Sequence, residues 1–231
     1  MAQAKKKPAN KMNLVILHLG SGGSACLVVD GKSRETTMGC TPLEGLPGGT
    51  RSGTLDPSLI FHHTPDCSEK VEWSGRQISK AEYVLNKESG FKALCGTNDF
   101  GVITERAFSS SSGQSSEERQ QARQVYEAYI LRLMTYVSHY VSSAMNEGGL
   151  DALVFSGGIG EHSAILRKDV LSRLSWIEKL KGPNGGVDHG RNENGSGSRR
   201  ITKDGSIVEG WVVETNEEEQ SVKLALEAAR A

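Results

Sequence analysis

The sequence has few of the features that mark secreted, membrane-bound or zinc-binding proteins. Its four cysteines are widely spaced and form no C-x-x-C pair, so neither a disulfide framework nor a zinc site is predicted, and the thiols are expected to be reduced. No apolar run approaches the roughly 20 residues of a membrane span, and the N-terminus lacks the apolar core of a secretory signal. These absences predict a cytoplasmic protein that makes no contact with membranes.

An excess of charge of either sign is also missing. The 231 residues include 27 lysines and arginines and 28 aspartates and glutamates, so the formal net charge is -1. A chain without a basic excess is not expected to bind nucleic acid. The length is sufficient for one large domain or two small ones with a real core.

The first glycine-rich stretch, Leu17–Ala25 (LHLGSGGSA), has the G-x-G-x-x-A spacing of a dinucleotide-binding loop. That motif requires a helix after the loop, but the apolar residues 26–29 and the turn Asp30–Gly31 follow instead. The pattern therefore predicts a three-stranded antiparallel meander, with strands Leu14–Leu19, Ser24–Val29 and Lys32–Met38. Glycines at the first corner allow backbone N–H groups to approach an anion, so a phosphate site and an ordinary flexible hairpin both remain open.

A second loop, Gly39–Pro57, is too rich in glycine and proline for a regular element. It holds a single strong cation, Arg51, and loops on a rigid scaffold often aim functional side chains. Arg51 is thus a candidate functional residue, and the alternative is a surface arginine in a flexible linker.

The second half of the chain begins with a long predicted helix, Glu117–Asn146, whose apolar residues recur at helical spacing. A short apolar strand, Leu150–Phe155, is followed by the glycine loop SGGIGEHS and by a second helix, Ala164–Leu174. A helix N-terminus behind a tight glycine loop presents free N–H groups to a phosphate or a ribose. This order of elements predicts a second candidate binding loop.

The C-terminal part of the chain is predicted to contain fewer regular elements. Residues 182–200 contain few apolar side chains and are predicted to be a disordered or loosely held insertion. The turn Asp204–Gly205 is predicted to join two strands, 200–203 and 206–214. A last helix, Gln220–Ala229, is expected to be capped by Asn216.

Three motifs together resemble the acetate kinase family: HLGSGGSACLVVDGKSRETTMGCTPLEGLPGGTRSGTLDP, DALVFSGGIGEHS and VVETNEE. The resemblance implies an α/β fold, the ribonuclease H-like, actin-like ATPase domain of the acetate and sugar kinase, heat-shock chaperone and actin superfamily. Residues 1–12 are then a residual N-terminal segment, and residues 13–231 are the C-terminal nucleotide-binding domain. The family's first phosphate loop and catalytic aspartate belong to a preceding half, so the chain is expected to be inactive alone.

The resemblance also implies a function and a set of site residues. The reaction is reversible phosphoryl transfer from ATP to acetate, giving acetyl phosphate and ADP, with Mg²⁺ as the metal and a homodimer as the assembly. Such a transfer needs positive charge and N–H donors around the moving phosphoryl group. The implied residues are His18 and Arg51 for catalysis; Gly20, Ser21, Gly22, Gly23, Asp99, Gly157, Gly158, Ile159, Gly160 and His162 for the nucleotide; and Glu217 for the metal.

The sequence departs from the family pattern at four positions. Ser21 and His162 each replace an asparagine, Gly101 stands where an adenine-stacking arginine is common, and Thr54 replaces an aspartate. Three alternatives therefore remain open. They are a non-catalytic nucleotide-binding or dimerisation module of a pseudokinase, a kinase for another short-chain carboxylate such as propionate, and a sugar kinase or actin-like ATPase, which would not explain TPLEGL and GTRSG together.

Overall fold

A computed structural model of the chain describes residues 5–63, 66, 68–109, 113–175, 182 and 184–230. Its centre is a six-stranded mixed sheet with the strand order β3-β2-β1-β6-β8-β7, and β4 and β5 form a separate hairpin. The strands are β1 Leu14–Leu19, β2 Gly23–Val29, β3 Lys32–Thr36, β4 Lys70–Trp73, β5 Arg76–Ser79, β6 Ala152–Ser156, β7 Arg199–Arg200 and β8 Glu209–Val212.

The described helices cover the sheet and build its connections. They are a short 3-10 turn Ala9–Lys11, then α1 Leu59–His63, α2 Lys80–Lys87, α3 Gly90–Cys95, α4 Phe100–Phe108, α5 Ser116–Asn146, α6 Gly157–His162, α7 Ala164–Arg173, α8 His189–Glu193 and α9 Glu217–Arg230. Among the described residues, no helix combines the length and the apolar character needed to cross a membrane.

The predicted meander is confirmed. Strand β1 pairs antiparallel with β2, and β2 pairs antiparallel with β3, so no helix follows the first glycine corner. The bounds differ slightly, since β2 begins at Gly23 and β3 ends at Thr36. Thr37 still ties the end of the meander to β2, because its hydroxyl accepts a hydrogen bond from the Ala25 N–H at 3.0 Å.

The long helix α5 is also confirmed, and it carries the core. Its N-terminus has a capping box in which the Ser115 hydroxyl accepts from the Glu118 N–H and the Glu118 carboxylate accepts from the Ser115 N–H. Its apolar stripe packs against the sheet and against α4. The stripe residues predicted from the sequence are all buried: Ala122, Val125, Tyr129, Leu133, Val137, Tyr140, Val141 and Ala144.

Three parallel strands lie side by side in the middle of the sheet. β1 is parallel to β6, with His18 opposite Ser156, and β6 is parallel to β8. Their carboxyl ends therefore meet at one edge, which is where ligands bind in open α/β sheets. The first glycine corner, α6 and the approach to α9 all follow directly from this edge.

The expectation of a loosely held segment at 182–200 is wrong for its described residues beyond Val187. Asp188 donates its N–H to the Ile201 carbonyl at 2.9 Å, the short helix α8 follows, and Asn192 is only 1% exposed. The segment packs through polar contacts with the buried Arg167 rather than through apolar area. Low apolar content was therefore a misleading signal here.

Other differences concern bounds and short elements. The glycine stretch expected to be a loop forms α6, and the final hairpin is shorter than predicted, with strands Arg199–Arg200 and Glu209–Val212. The last helix begins at Glu217 instead of Gln220, and Asn216 caps it by accepting from the Glu219 N–H at 3.0 Å. Three cysteines are free: Cys26, Cys40 and Cys95; Cys67 lies outside the described residues.

Candidate active site

The first glycine corner and Arg51 lie in direct contact. The corner is closed by a hydrogen bond from the Gly20 N–H to the Gly22 carbonyl at 3.1 Å. A β-carbon on Gly22 would lie 2.7 Å from Nη1 of Arg51, so the missing side chain makes the space that the guanidinium occupies. Arg51 makes no ion pair with any described carboxylate. Its charge is therefore available to an anion at the corner.

Backbone contacts hold the Arg51 loop in this position. The Gly49 N–H donates to the Ser21 carbonyl at 2.9 Å, which attaches the loop to the glycine corner. On its other side the loop is held by the end of α2 and the start of α3. There the Ser52 N–H donates to the Leu85 carbonyl at 3.0 Å and the Phe91 N–H donates to the Gly48 carbonyl at 2.9 Å. The loop Gly39–Pro57 is thus an ordered platform rather than a flexible linker.

The threonine at position 54 has a role within the same loop. Its hydroxyl accepts from the Gly45 N–H at 2.8 Å, and its own N–H donates to the Gly45 carbonyl at 3.0 Å. This pair of bonds closes the loop across its base. Thr54 therefore stabilises the loop through its own hydrogen bonds.

His18 and Glu217 also lie together at the sheet edge. The imidazole Nδ1 lies 3.3 Å from the Ser156 hydroxyl, and Nε2 lies 3.4 Å from a carboxylate oxygen of Glu217. The side chains are 37% and 77% exposed, so solvent and ligands reach both. The structure thus joins the predicted catalytic histidine to the predicted metal carboxylate.

A separate pocket of about 530 Å³ opens between the N-terminus of α4 and the α6–α7 junction. Five residues of interest line it: Asp99, Gly101, Gly158, Ile159 and His162. One carboxylate oxygen of Asp99 caps α4 by accepting from the Gly101 and Val102 N–H groups at 2.7 and 3.2 Å. Since Gly101 has no side chain, nothing from this position extends over the pocket.

Helix α6 links the pocket to the sheet edge. Gly158, Ile159 and His162 face the pocket, whereas Gly157 packs against the end of β1, where a β-carbon would lie 2.7 Å from the Leu19 carbonyl oxygen. Gly157 also has φ +71°, a conformation that other residues adopt at a cost. Gly160 faces Phe155, with a β-carbon position 3.3 Å from its carbonyl carbon.

We expect Gly157→Ala to destabilise the protein by about 2 kcal/mol, because the new methyl group meets backbone in a left-handed conformation. Gly158→Ala is the matched control in the same helix. No atom lies within 4 Å of its β-carbon position, so it should be neutral or stabilising by roughly 0.5–1 kcal/mol. Urea unfolding of the two variants measures both effects. Equal stability of the two variants would contradict the packing of α6 on β1.

Several residues that shape the site were not predicted from the sequence. Ser156 contacts His18, Gly90 contacts the Arg51 loop, and Glu161 joins α6 to Thr215. The four-residue spacing of Gly157 and Glu161 on a helix indicates only that these two residues are close, and it gives no signal for the contact of Glu161 with Thr215. Within the described part of the chain, no group of three or more histidine, cysteine, aspartate or glutamate side chains is arranged to hold a metal.

Comparison with known proteins decides the family. Residues 1–223 match the Acetokinase family. The chain belongs to the acetokinase family. It is 45% identical to a probable acetate kinase of Cryptococcus neoformans over 232 residues, which cover 98% of this chain and 52% of that protein. It is 38% identical to an acetate kinase of Corynebacterium jeikeium, covering 96% of this chain and 50% of that protein. This acetokinase-family chain therefore spans about half the length of the curated relatives it matches.

Solved structures of the family confirm the predicted fold class, an α/β actin-like ATPase domain. Porphyromonas gingivalis acetate kinase matches 94% of this chain and 49% of its own with a TM-score of 0.74 and 27% identity. A propionate kinase from Francisella tularensis is also similar, with a TM-score of 0.73 and 34% identity over 94% of this chain and 49% of that protein. The acetokinase fold therefore accounts for the sheet, the glycine corner and the helices described above.

Proposed function

We propose that this chain is the nucleotide-binding half of an acetate kinase that transfers a phosphoryl group reversibly from ATP to acetate. The observation that carries the proposal is the position of the Arg51 guanidinium, which lies against Gly22 at the first glycine corner. The backbone N–H groups of such a corner are suited to binding phosphate. A planar guanidinium binds phosphoryl and carboxylate oxygens in pairs, which is the interaction that this transfer needs. Arg51 and His18 are the proposed catalytic residues.

The nucleotide is proposed to lie between the pocket and the glycine corner. The base and ribose would occupy the pocket lined by Asp99, Gly101, Ile159 and His162. The phosphates would extend toward the corner residues Gly20, Ser21, Gly22 and Gly23. Gly158 and Gly160 support this arrangement, because their missing side chains leave room for a ligand and for close packing of α6.

Mg²⁺ is proposed to bind through the carboxylate of Glu217. Mg²⁺ in phosphoryl-transfer sites keeps several waters and takes one or two carboxylates plus phosphate oxygens. A single exposed carboxylate at the sheet edge fits that requirement, and His18 beside it fits a role near the transferred group. When bound, the metal would neutralise charge on the phosphate oxygens.

The proposed function also includes a second substrate, a homodimer and a need for the other half of the fold. Acetate or acetyl phosphate is the proposed second substrate, and the likeness to a propionate kinase makes propionate the first alternative to test. We also propose a homodimer, and residues 13–231 as a single nucleotide-binding domain. Since the chain spans half the length of its relatives, we expect phosphoryl transfer to require the remaining half of the fold.

The nucleotide site is tested by filling the pocket. Gly158→Leu adds a side chain whose β-carbon has no neighbour within 4 Å beyond the adjacent residues and the helix's own backbone, so the fold should tolerate the leucine while its side chain fills the pocket. We expect calorimetry to show that Mg²⁺–ADP affinity falls by about tenfold or more, which corresponds to roughly 1.4 kcal/mol. Ala128→Leu, which adds the same side chain on the exposed face of α5, is the matched control. Equal affinity of the two variants would refute the pocket assignment.

A further inference from the structure

Glu161 connects two segments of the site that are far apart in the sequence. One of its carboxylate oxygens accepts three hydrogen bonds: from the Gly157 N–H at 2.9 Å, the Thr215 N–H at 3.1 Å and the Thr215 hydroxyl at 3.0 Å. Gly157 begins α6, and Thr215 lies two residues before Glu217 in the connection from β8 to α9. A single side chain therefore links the start of α6, which lines the pocket, to the segment that leads into α9, which begins at Glu217.

These contacts close a ring around the sheet edge. Gly157 follows Ser156, whose hydroxyl lies 3.3 Å from Nδ1 of His18. Nε2 of His18 lies 3.4 Å from Glu217, and the connection from Glu217 back to Thr215 returns to Glu161. Every link is a hydrogen bond, a close polar contact or a short piece of backbone.

Helix α9 depends on such links because its own packing is slight. All of its described side chains, from Glu217 to Ala229, are exposed. Its approach is otherwise held by the Val213 N–H on the Phe155 carbonyl at 2.9 Å and by contacts of Glu214 with Gly197 and Ser198. The exposed contact of His18 with Glu217 contributes little by itself, since even a fully charged pair at the surface is worth only about 0–1 kcal/mol. The last anchor before Glu217 is therefore Thr215 on Glu161.

We propose that Glu161 is a positioning residue that holds the Glu217 carboxylate beside His18. Its catalytic meaning rests on the function proposed above, because it acts through Glu217 and the metal that Glu217 would bind. Glu161 itself touches neither the corner nor the pocket in this arrangement. Groups that orient a ligand residue in this way commonly change metal affinity by about 10- to 100-fold when they are removed.

Two substitutions separate this role from a general effect on folding. Glu161→Ala removes all three bonds, whereas Glu161→Gln keeps an acceptor oxygen at the same distance along the side chain. Thr215→Val removes only the hydroxyl that donates to Glu161 and keeps the Thr215 N–H, so it is a milder test of the same link. Glu193→Ala, at an exposed carboxylate of α8, is the matched control.

Two measurements on the 231-residue chain are proposed. Hydrogen–deuterium exchange of the backbone around Thr215 and Gly157 reports the links directly, without any nucleotide. Calorimetry with ADP, in the presence and absence of Mg²⁺, reports the metal-dependent part of the affinity. In Glu161→Ala we expect the Thr215 amide to exchange faster. The gain in ADP affinity that Mg²⁺ provides should fall by about tenfold, and the ADP affinity without Mg²⁺ should be unchanged. Glu161→Gln should retain most of both, and Thr215→Val should lie between them.

The outcomes distinguish this inference from the proposed function. Unchanged exchange at Thr215 in Glu161→Ala, or equal effects of Glu161→Ala and Glu161→Gln, would overturn the positioning role. Loss of metal-free ADP affinity to the same extent would also overturn it, because the effect would then not pass through Glu217. Failure of the unsubstituted chain to bind ADP would refute the proposed function, and faster exchange in Glu161→Ala alone would still support the positioning of Glu217.

Discussion

The Gly90→Ala variant is expected to lose about 3 kcal/mol of stability and to displace the Arg51 loop. Gly90 has φ +67°, and its β-carbon position collides with the Gly48 carbonyl oxygen and lies 2.8 Å from the Arg51 carbonyl oxygen and 2.9 Å from the Arg51 nitrogen. All three are backbone atoms, which cannot rotate away as the end of a flexible side chain can. The added methyl group must therefore move the platform that carries the guanidinium.

Gly96→Ala is the matched control for this effect. Gly96 ends α3 with φ +75°, yet no atom lies within 4 Å of its β-carbon position. The control variant bears the same left-handed conformation without the collision, so it should lose only about 1–2 kcal/mol. Urea unfolding measures both stabilities. If Gly90→Ala were no less stable than Gly96→Ala, the close contact of α3 with the Arg51 loop would be wrong.

The Asn192→Leu variant is expected to lose about 3 kcal/mol, because the buried Arg167 guanidinium loses the one side-chain oxygen among its hydrogen-bond acceptors. Arg167 is 1% exposed and makes no ion pair with a described carboxylate. Its Nε donates to the Asn192 side-chain oxygen at 2.8 Å, and its Nη1 donates to the carbonyls of Gly160 and Glu161 at 2.9 and 2.7 Å. Burial, together with the smaller effect of the nearby charge of Arg199, lowers the pKa of Arg167 to about 10.

The same side chain of Asn192 donates to the Ala164 carbonyl at 2.9 Å, so the leucine also removes a contact at the start of α7. Asn194→Leu, on an exposed position two residues away, is the control and should change stability by less than about 0.5 kcal/mol. Equal stability of Asn192→Leu and Asn194→Leu would contradict the role of the Asn192 side chain in holding the buried Arg167.

The elements that follow from local pattern could be predicted from the sequence. The alternation in Leu14–Leu19 and the Asp30–Gly31 turn fix a meander, and the stripe of α5 with its Ser115 cap fixes a long helix. Both signals operate over short distances along the chain, so neighbouring residues contain the necessary information. The site residues His18 and Glu217 came from the family resemblance, whereas Arg51 was already a candidate from its glycine-rich loop and the resemblance supplied its role.

The contacts that position these residues could not be read from the sequence. Two contacts join segments that only the folded sheet brings together. One is the contact of Arg51 with Gly22, and the other is the hydrogen bond of Thr215 to Glu161. The glycine stretch beginning at Gly157 has low helix propensity, and tight packing on β1 determines its conformation instead. The part of the segment 182–200 around Asn192 was misjudged for a related reason, because a buried arginine can order a segment that has few apolar side chains.

The central claim, that phosphates of a bound nucleotide reach Arg51 at the glycine corner, is tested most directly by comparing ATP with adenosine. Calorimetry on the unsubstituted chain and on Arg51→Ala, with Mg²⁺ present, would give the affinity for each ligand. We predict that Arg51→Ala weakens ATP binding by about tenfold or more, as expected for loss of a charge-assisted bond of roughly 1.5–3 kcal/mol, while adenosine binding is unchanged. Equal ATP affinity in the two proteins, or an equal loss for adenosine, would contradict the claim.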